Sequence, residues 1–417
     1  MYGGYTNYIN TSFTPDKSNY LVATFKLTPP KNSTLYYCAE AVAAESSIGT
    51  WTSLSTMEKK VLKNLQPKVF YIDKKQHIIK IAYPIELFEE GNPAQLLSDI
   101  AGNIFGMKEV KWLFLVDFQA PESYFNSFPG PNFGKKKIRE LLHTDKNFRP
   151  HLGTIIKPKV GLDPSAAAKV AFQSWVGGLD LVKDDENLTS HSFSKFEDRL
   201  AKILEAKDKA EEETGQTKVY CPNISASADV MLKRAQLAQD MGSNCIMIDI
   251  LTVGFSGVQF IRNQNFKMFI HGHRAMHAAL TKNKKHGISM LVLAKIARMV
   301  GVDQLHVGAI FGKMEGSKKE VLNIHNWLNF KCGNLKEVFS VASGGVSPIT
   351  LPQIAKAFNY DVVIQAGGGV HGHPKGTEAG AKALVQALEA SMKNISLEEY
   401  AKTHPELSLA LKKWQKR

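Results

Sequence analysis

The segment GGLDLVKDDENLTS, residues 177–190, carries the densest group of side chains that could do chemistry. Asp185 and Glu186 are adjacent carboxylates, the hard oxygen ligands that suit Mg²⁺, an ion that usually keeps positions for water or substrate. Lys183 precedes them, and a protonated amine donates hydrogen bonds but cannot ligate a metal. CO₂ adding to a deprotonated Lys183 would give a carbamate, which is an anionic oxygen ligand. A lysine that only neutralises the two acids is the alternative interpretation of this segment.

Other polar or glycine-rich groups occur where short apolar runs of the sequence end. They are Lys157-Pro158-Lys159, Lys183 to Asn187, Asn223, His271-Gly272-His273-Arg274, His306, Ser343-Gly344-Gly345 and Gly367-Gly368-Gly369. Any one of them could be an ordinary solvated or hydrogen-bonded group. Because they follow seven of eight such runs, coincidence is a poor explanation.

The apolar runs predict the scaffold that positions these groups. They lie at 153–157, 178–183, 218–223, 245–250, 267–273, 304–308, 338–344 and 362–368. Short continuous apolar runs are typical of buried parallel strands. Between them lie helical patterns, such as residues 193–215, where apolar positions keep a 3.6-residue rhythm and Gly215 follows as a stop signal. Eight alternations predict a (βα)8 barrel, whose active site lies at the carboxyl ends of the strands.

The first 132 residues have a different pattern. Strand-like runs at 20–25, 68–72, 78–82 and 112–117 mix with helical stretches around 35–45 and 95–105. This order predicts an α+β domain with an antiparallel sheet. The stretch 121–137 is rich in Pro, Gly and Lys, which is typical of a linker or of the edge of one. We therefore expect an N-terminal domain at 1–132 and a catalytic α/β barrel with C-terminal helices at 133–417.

Composition limits the class of protein. The 417 residues are 44% hydrophobic and 22% charged, as in soluble globular proteins, and not as in disordered or fibrous chains. The net charge of +13 favours an anionic partner, which could be nucleic acid, a membrane surface or a phosphorylated small molecule. The four cysteines form no disulfide or zinc-site spacing, and no targeting or membrane-spanning segment is evident. A cytoplasmic location is the expectation.

A series of longer motifs resembles the large subunit of ribulose-1,5-bisphosphate carboxylase/oxygenase (rubisco). In order, they are AAESSIGTWTS (43–53), DIAGNIFGMKE (99–109), TIIKPKVGL (154–162), GGLDLVKDDEN (177–187), HGHRAMHA (271–278), HVGAIFGKMEG (306–316), VASGGVSP (341–348) and IQAGGGVHGHPKG (364–376). The resemblance covers nearly the whole chain and is highly specific in combination. It implies a ferredoxin-like N-terminal α+β domain followed by a TIM barrel.

The resemblance implies a set of ligands. Lys183 would carry CO₂ as an activating carbamate and bind Mg²⁺ together with Asp185 and Glu186. The substrate, ribulose 1,5-bisphosphate, would be held at two phosphate sites. One site would use Arg274, His306 and Ser343, and the other Thr50, Trp51, Gly345, Gly367 and Gly368, with Lys159 and Gly344 also binding substrate. Arginine forks and glycine-rich turns before helices suit phosphate oxygens.

The resemblance also implies catalytic roles. The carbamate on Lys183 would remove the C3 proton, CO₂ or competing O₂ would add at C2, and Lys157 would protonate the final carbanion. His273 would shuttle protons, and Lys313 would close over the substrate on its loop. Glu45 and Asn103, with Thr50 and Trp51, would complete the site of a neighbouring subunit. A homodimer, or a multiple of dimers, is therefore expected.

Three further expectations concern the kind of enzyme. Ile155 and the short tail LALKKWQKR resemble archaeal form III or form II/III sequences, which need no small subunit and are associated with salvage of ribose from nucleoside monophosphates. A rubisco-like enolase or isomerase is the nearest alternative, but such relatives lose some of a set that is complete here. That set is Glu45, Asn103, Lys157, His306 and Lys313. Basic clusters at 134–139, 282–286 and 412–417 lack a nucleic-acid reader motif, so neither a dedicated nucleic-acid partner nor a membrane partner is expected.

Overall fold

The computed structural model describes residues 4–308, 310 and 317–415, and their contacts divide the chain into two compact units. The first unit comprises Met1–Gly130, Met276–Val300 and Cys332–Leu335, and the second comprises Pro131–Ala275, Gly301–Lys331 and Lys336–Arg417. The first division lies close to the expected boundary at residue 132, but two later segments also group with the first unit. Lys313 lies outside the described residues, so its expected loop role stays a prediction.

The regular elements alternate along the chain. The strands are β1 Tyr20–Thr28, β2 Lys68–Asp73, β3 Ile78–Pro84, β4 Trp112–Gln119, β5 His151–Ile155, β6 Leu181–Lys183, β7 Val219–Cys221, β8 Cys245–Asp249, β9 Phe269–His273, β10 Gly287–Ile288, β11 Gln304–His306, β12 Phe339–Ser343 and β13 Val363–Gln365. The helices are α1 Leu35–Glu45, α2 Lys59–Leu65, α3 Pro93–Ile100, α4 Glu122–Asn126, α5 Gly134–Leu141, α6 Pro164–Val176, α7 Phe196–Thr214, α8 Ala228–Asp240, α9 Phe255–Asn263, α10 His277–Thr281, α11 Met290–Met299, α12 Lys318–Asn329, α13 Leu351–Ala357, α14 Gly368–His371, α15 Thr377–Met392, α16 Leu397–Tyr400 and α17 Pro405–Trp414. No helix within the described residues is both long and apolar enough to cross a membrane.

The first unit contains a sheet with strand order β10-β4-β1-β3-β2. Strands β1 to β4 pair antiparallel, and their order with α1 and α3 as connections is the ferredoxin-like arrangement expected from the resemblance. Strand β1 alternates buried and less buried residues, as a strand with one face on the core must. The short β10 adds to β4 in parallel, which explains why the segment around it groups with this unit.

The second unit contains the predicted barrel. All eight apolar runs form strands, and they pair in parallel in the order β7-β6-β5-β13-β12-β11-β9-β8. A parallel bridge between Asn223 and Met247 joins the two outer strands and closes the sheet. Helix α7 ends where its sequence predicted, because Gly215 adopts a left-handed conformation with φ of 64°.

Two local expectations need correction. The segment 121–137, expected as a linker or the edge of one, is partly helical, because it contains α4 and the start of α5. Helix α5 is amphipathic and places Ile138 in the apolar cluster at the amino end of the barrel interior, where residues such as Leu181, Val219 and Phe269 pack. The second helical stretch, expected at 95–105, ends at Ile100 and is followed by a separate 3₁₀ turn, Asn103–Phe105.

Candidate active site

Strand β6 carries the central lysine into the barrel. Because side chains alternate along a strand, Leu181 and Lys183 point inward and Val182 points outward. Lys183 is 1% exposed, and its Nζ donates to the carbonyl oxygen of Asp184 at 2.7 Å and contacts Met247 Sδ at 3.4 Å. Burial lowers the pKa of Lys183, against the opposing effect of nearby carboxylates. A neutral amine is the form that CO₂ attacks to make a carbamate.

The two carboxylates after β6 form ion pairs with two lysines that follow the neighbouring strand β5. Asp185 Oδ2 accepts from Lys157 Nζ at 2.7 Å, and Glu186 Oε1 accepts from Lys159 Nζ at 3.4 Å. Burial alone would raise the pKa of Asp185, but the hydrogen bond and charge of Lys157 outweigh it and lower the pKa. Glu186 Oε2 also lies 3.7 Å from His273 Nε2. The structure thus brings together the ends of β5, β6 and β9, as the barrel pattern required.

The donor set fits Mg²⁺ only if Lys183 is modified. Within the described residues, no three His, Cys, Asp or Glu side chains are grouped so that they could hold a metal. Asp185 and Glu186 supply two carboxylates, and both act electrostatically on Lys183. A carbamate on Lys183 would add a third anionic oxygen beside them. Mg²⁺ accepts few carboxylates together with water or substrate oxygens, so such a set of three residues would fit the ion.

Arg274, directly after β9, is a buried cation without a carboxylate partner. Its residue is 8% exposed, and its guanidinium forms no hydrogen bond or ion pair with a carboxylate in the described part of the chain. Burial lowers its pKa to about 10. Gly308 leaves room for it, because a Cβ there would lie 2.7 Å from Arg274 Nη2. A buried guanidinium of this kind predicts an anionic ligand, and phosphate matches its donor geometry.

A chain of buried polar side chains crosses three neighbouring strands. Gln304 Oε1 lies 2.8 Å from His271 Nδ1, His271 Nε2 lies 2.9 Å from His306 Nε2, and His306 Nδ1 lies 2.8 Å from Ser343 Oγ. Burial lowers the pKa values of both histidines. His306 and Ser343, expected to bind phosphate, are therefore held together. His271 was expected among the polar groups that follow the apolar runs, but without a role of its own. Gln304 was not singled out, because it lies inside such a run.

The end of β8 contributes a residue that sequence reasoning missed. Asp249 Oδ1 lies 3.1 Å from His273 Nδ1, and its Oδ2 accepts from Asn223 Nδ2 at 3.3 Å. The same amide donates to the carbonyl oxygens of Asp185 and Glu186 at 3.4 and 3.3 Å. Its position could have indicated a role at the site, because Asp249 is the acidic residue at the end of the apolar run CIMID, residues 245–249. All eight strands therefore end in polar or glycine-rich groups, rather than seven.

Two glycine turns lie after the neighbouring strands β12 and β13. Gly344 and Gly345 have φ of 107° and 75°, conformations that favour glycine. Gly367 lies against Lys157, because a Cβ built there would be 3.2 Å from Lys157 Cε. Gly368 begins α14. These turns lie at the carboxyl end of the barrel, where the second phosphate is expected.

The remaining expected residues within the described part of the chain all belong to the first unit. Glu45 ends α1 and accepts hydrogen bonds from Thr50 Oγ1 at 3.2 Å and from Tyr5 Oη at 2.8 Å. Trp51 is 74% exposed, and Asn103 begins the 3₁₀ turn. Tyr5 was not expected at the site, because nothing in the sequence around it marks a partner forty residues away.

This closed (βα)8 barrel carries lysines, carboxylates and a buried arginine at the carboxyl ends of its strands. Such a barrel defines a TIM-barrel enzyme of anionic substrates. The model of the ribulose bisphosphate carboxylase large chain, catalytic domain, matches residues 136–414, and the model of its N-terminal domain matches residues 7–124. The chain belongs to the ribulose bisphosphate carboxylase large-chain family.

Similar proteins come from archaea. The ribulose bisphosphate carboxylase of Methanocaldococcus jannaschii is 48% identical, over 98% of this chain and 100% of that protein. That of Pyrococcus furiosus is 47% identical, over 98% and 97%. The solved octameric rubisco of Pyrococcus horikoshii, described as a complex with sulfate ion, superposes with a TM-score of 0.94 at 43% identity, over 98% and 96% of the two chains. The dimeric archaeal rubisco of Hyperthermus butylicus gives 0.92 at 43% identity, over 98% of each chain.

Proposed function

We propose that this protein is a Mg²⁺-dependent ribulose-bisphosphate carboxylase, which converts ribulose 1,5-bisphosphate, CO₂ and water into two molecules of 3-phosphoglycerate. The observation that carries the proposal is Lys183, a lysine 1% exposed inside the barrel beside two carboxylates, with its pKa lowered by burial. An amine in this setting is suited to take up CO₂ as a carbamate. The relatives named above, which are called ribulose bisphosphate carboxylase, support the same activity.

Mg²⁺ would be held by carbamylated Lys183, Asp185 and Glu186, and when bound it would polarise the substrate carbonyl and the neighbouring hydroxyl. The carbamate oxygen of Lys183 would accept the proton from C3 of the sugar. Lys157, whose ammonium already lies at the end of β5 against Asp185, would donate a proton to the carbanion left by C2–C3 cleavage. His273 would move protons during hydration and cleavage.

The substrate would be held by its two phosphates. Arg274, His306 and Ser343 would bind one, because they combine a buried guanidinium with two linked hydrogen-bonding groups. Gly344, Gly345, Gly367, Gly368 and Lys159 would bind the other, with Thr50 and Trp51. Two anion sites on opposite sides of one metal suit a five-carbon bisphosphate.

Assembly follows from the group in the first unit. We infer that Glu45, Thr50, Trp51 and Asn103 serve the active site of a neighbouring copy, in a homodimer or a multiple of dimers without small subunits. The exposure of Trp51 and the dimeric and octameric descriptions of two solved relatives support this assembly.

Lys313 would hold the new carboxylate. We also propose competing reaction with O₂, and a metabolic role in ribose salvage.

The test is fixation of labelled CO₂ with ribulose 1,5-bisphosphate after preincubation in bicarbonate and Mg²⁺. Lys183→Met should abolish both fixation and labelled CO₂ trapped on the protein. Lys218→Met is the matched control, because Lys218 is also a buried lysine but lies before β7, at the amino end of the barrel. Turnover of a diketone phosphate without fixation by the unmodified protein would contradict the proposal and favour an enolase.

A further inference from the structure

Asp184 lies between Lys183 and Asp185 in the sequence, but its side chain contacts residues outside the proposed metal site. The residue is 0% exposed. Its Oδ1 accepts from Tyr220 Oη at 2.8 Å, and its Oδ2 accepts from the backbone N–H of Asn223 at 3.0 Å. Arg199 donates to Oδ2 through Nε at 3.3 Å and through Nη2 at 3.2 Å. Four hydrogen bonds therefore fix this carboxylate behind the site.

Arg199 also holds the loop that follows Asp184. It lies in the first turn of α7 and is 0% exposed. Its Nη2 donates to the carbonyl oxygen of Thr189 at 2.5 Å, and its Nη1 donates to the carbonyl oxygen of Ser194 at 3.0 Å and to Ser194 Oγ at 3.3 Å. One guanidinium thus ties together the beginning, middle and end of the loop at residues 184–194.

That loop carries Asp185 and Glu186. The Asn223 side chain donates to the carbonyl oxygens of both residues, while its backbone N–H donates to Asp184. The backbone of the two proposed ligands is therefore held from β7 on one side and from Arg199, through Asp184 and the loop, on the other. Groups that orient metal ligands from outside typically change metal affinity 10- to 100-fold when they are replaced.

We propose that Arg199, acting through Asp184, is a positioning residue that sets the affinity of this chain for the divalent cation and for the activating CO₂. This inference rests on the proposed function, because it concerns the same Lys183, Asp185 and Glu186 site. Arg199 touches neither metal nor substrate. It determines where the two carboxylates stand before the cation and CO₂ arrive.

The chain offers a matched control at the other end of the same strand. Arg149 donates to Asp180 through Nη1 at 2.8 Å and through Nη2 at 2.6 Å, and Asp180 immediately precedes β6. Asp184 immediately follows β6. Arg199→Lys and Arg149→Lys therefore each remove a guanidinium from a buried carboxylate flanking β6, but only the first is on the side of the proposed metal site.

The experiment measures three quantities on the purified full-length protein. They are Mn²⁺ binding in bicarbonate by electron paramagnetic resonance, labelled CO₂ trapped as carbamate, and the midpoint of thermal unfolding. We expect Arg199→Lys to bind Mn²⁺ about 10- to 100-fold more weakly and to trap less CO₂ at a given Mn²⁺ concentration. Arg149→Lys should stay within about twofold of the unmodified protein in both binding measurements, while both variants lose thermal stability.

A second variant covers the case in which Arg199→Lys does not fold. Tyr220→Phe removes one donor to Asp184 Oδ1 and leaves the ring in place, and it should weaken Mn²⁺ binding by a smaller factor. Equal effects of Arg199→Lys and Arg149→Lys on Mn²⁺ binding would overturn the positioning role, as would unchanged binding in Arg199→Lys and in Tyr220→Phe. If the unmodified protein traps no CO₂ and binds no Mn²⁺, the proposed function fails and this inference fails with it.

Discussion

Lys157 Nζ lies 2.7 Å from Asp185 Oδ2, so a proposed proton donor at the end of β5 is ion-paired with a proposed metal ligand after β6. The side chain of Asp185 is 1% exposed, whereas that of Lys157 is 28% exposed. A partly exposed lysine thus pairs with a buried carboxylate. This arrangement places its ammonium beside the atoms on which the proposed reaction takes place.

Replacing Lys157 tests whether it acts in proton transfer rather than in activation. We expect Lys157→Met to lower the fixation of labelled CO₂ by about 10²- to 10⁴-fold, the usual contribution of a positioned acid or base. Trapping of CO₂ on Lys183 should persist, because the amine that forms the carbamate is untouched. The exposed Lys169→Met serves as control. Fixation that survives in Lys157→Met would remove this residue from the chemistry.

Replacing Arg274 should affect substrate binding without lowering the stability of the fold. Because its buried guanidinium has no carboxylate partner among the described residues, we expect Arg274→Met to leave the thermal midpoint unchanged or raise it. The KM for ribulose 1,5-bisphosphate should rise about 10- to 100-fold, which corresponds to losing charged hydrogen bonds worth about 1.5–3 kcal/mol. Unfolding curves and initial rates measure the two effects.

The contrast is Arg139→Met, which removes a buried arginine whose Nη2 donates to Asp361 at 2.8 Å. That variant should lose thermal stability, because Asp361 loses one of its cations. If Arg274→Met is as destabilised as Arg139→Met and its KM is unchanged, Arg274 is a structural residue and not a phosphate ligand.

The apolar runs of the sequence were sufficient to predict the strands of the barrel and the polar groups that follow them. Lys157, Lys183 and His273 each end an apolar run, and parallel strands in a closed barrel bring such ends to one rim. The same reasoning could not assign Arg199, since a charged residue in an amphipathic helix resembles a solvated one. Only the fold shows that it is fully buried behind the site.

Long-range pairing set the other limit on prediction. Strand β10 is two residues long and pairs with β4, so it lacks a local pattern that could reveal it. Tyr5 reaches Glu45 across forty positions through a single hydroxyl. Helix α2, at Lys59–Leu65, was also missed, because its seven residues contain no fully buried position and so show little apolar rhythm.

His371 connects a proposed phosphate turn to the strand of the proposed proton donor. Its Nε2 lies 2.9 Å from the carbonyl oxygen of Ile155, two residues before Lys157, and its Nδ1 lies 3.1 Å from Thr377 Oγ1. Since a carbonyl oxygen only accepts, Nε2 carries the hydrogen and Nδ1 accepts from the Thr377 hydroxyl. A neutral ring therefore satisfies both contacts.

We expect His371→Leu to reduce kcat for fixation, by up to about 100-fold, because small displacements of a catalytic group are costly. His371→Gln should recover part of the rate, since its amide can still donate to Ile155. Burial lowers the pKa of His371 to about 4, so the pH profile of kcat from pH 6 to 9 should keep its shape in both variants. Equal rates in His371→Leu and His371→Gln would show that the hydrogen bond to Ile155 has no role.

Buried neutral histidines predict how the protein responds to acid. Burial lowers the pKa of His151 to about 3, and its ring is 0% exposed, with Nε2 at 2.7 Å from Thr144 Oγ1. An unfolded histidine has a pKa of about 6.5, so as the pH falls below that value the unfolded chain takes up a proton that folded His151 does not. Each such group lowers the unfolding free energy by about 1.4 kcal/mol per pH unit below about pH 6.5 and above the folded pKa.

His151→Phe removes the group at which the unfolded chain takes up this additional proton. The variant should lose some stability at pH 7, because the Thr144 hydroxyl loses its partner, but its further loss between pH 7 and pH 5 should be smaller by about 2 kcal/mol. Urea unfolding at the two pH values measures the difference. His143→Asn is the control, since it replaces an exposed histidine. The same pH dependence in His151→Phe as in the unmodified protein would mean that His151 takes up its proton without unfolding.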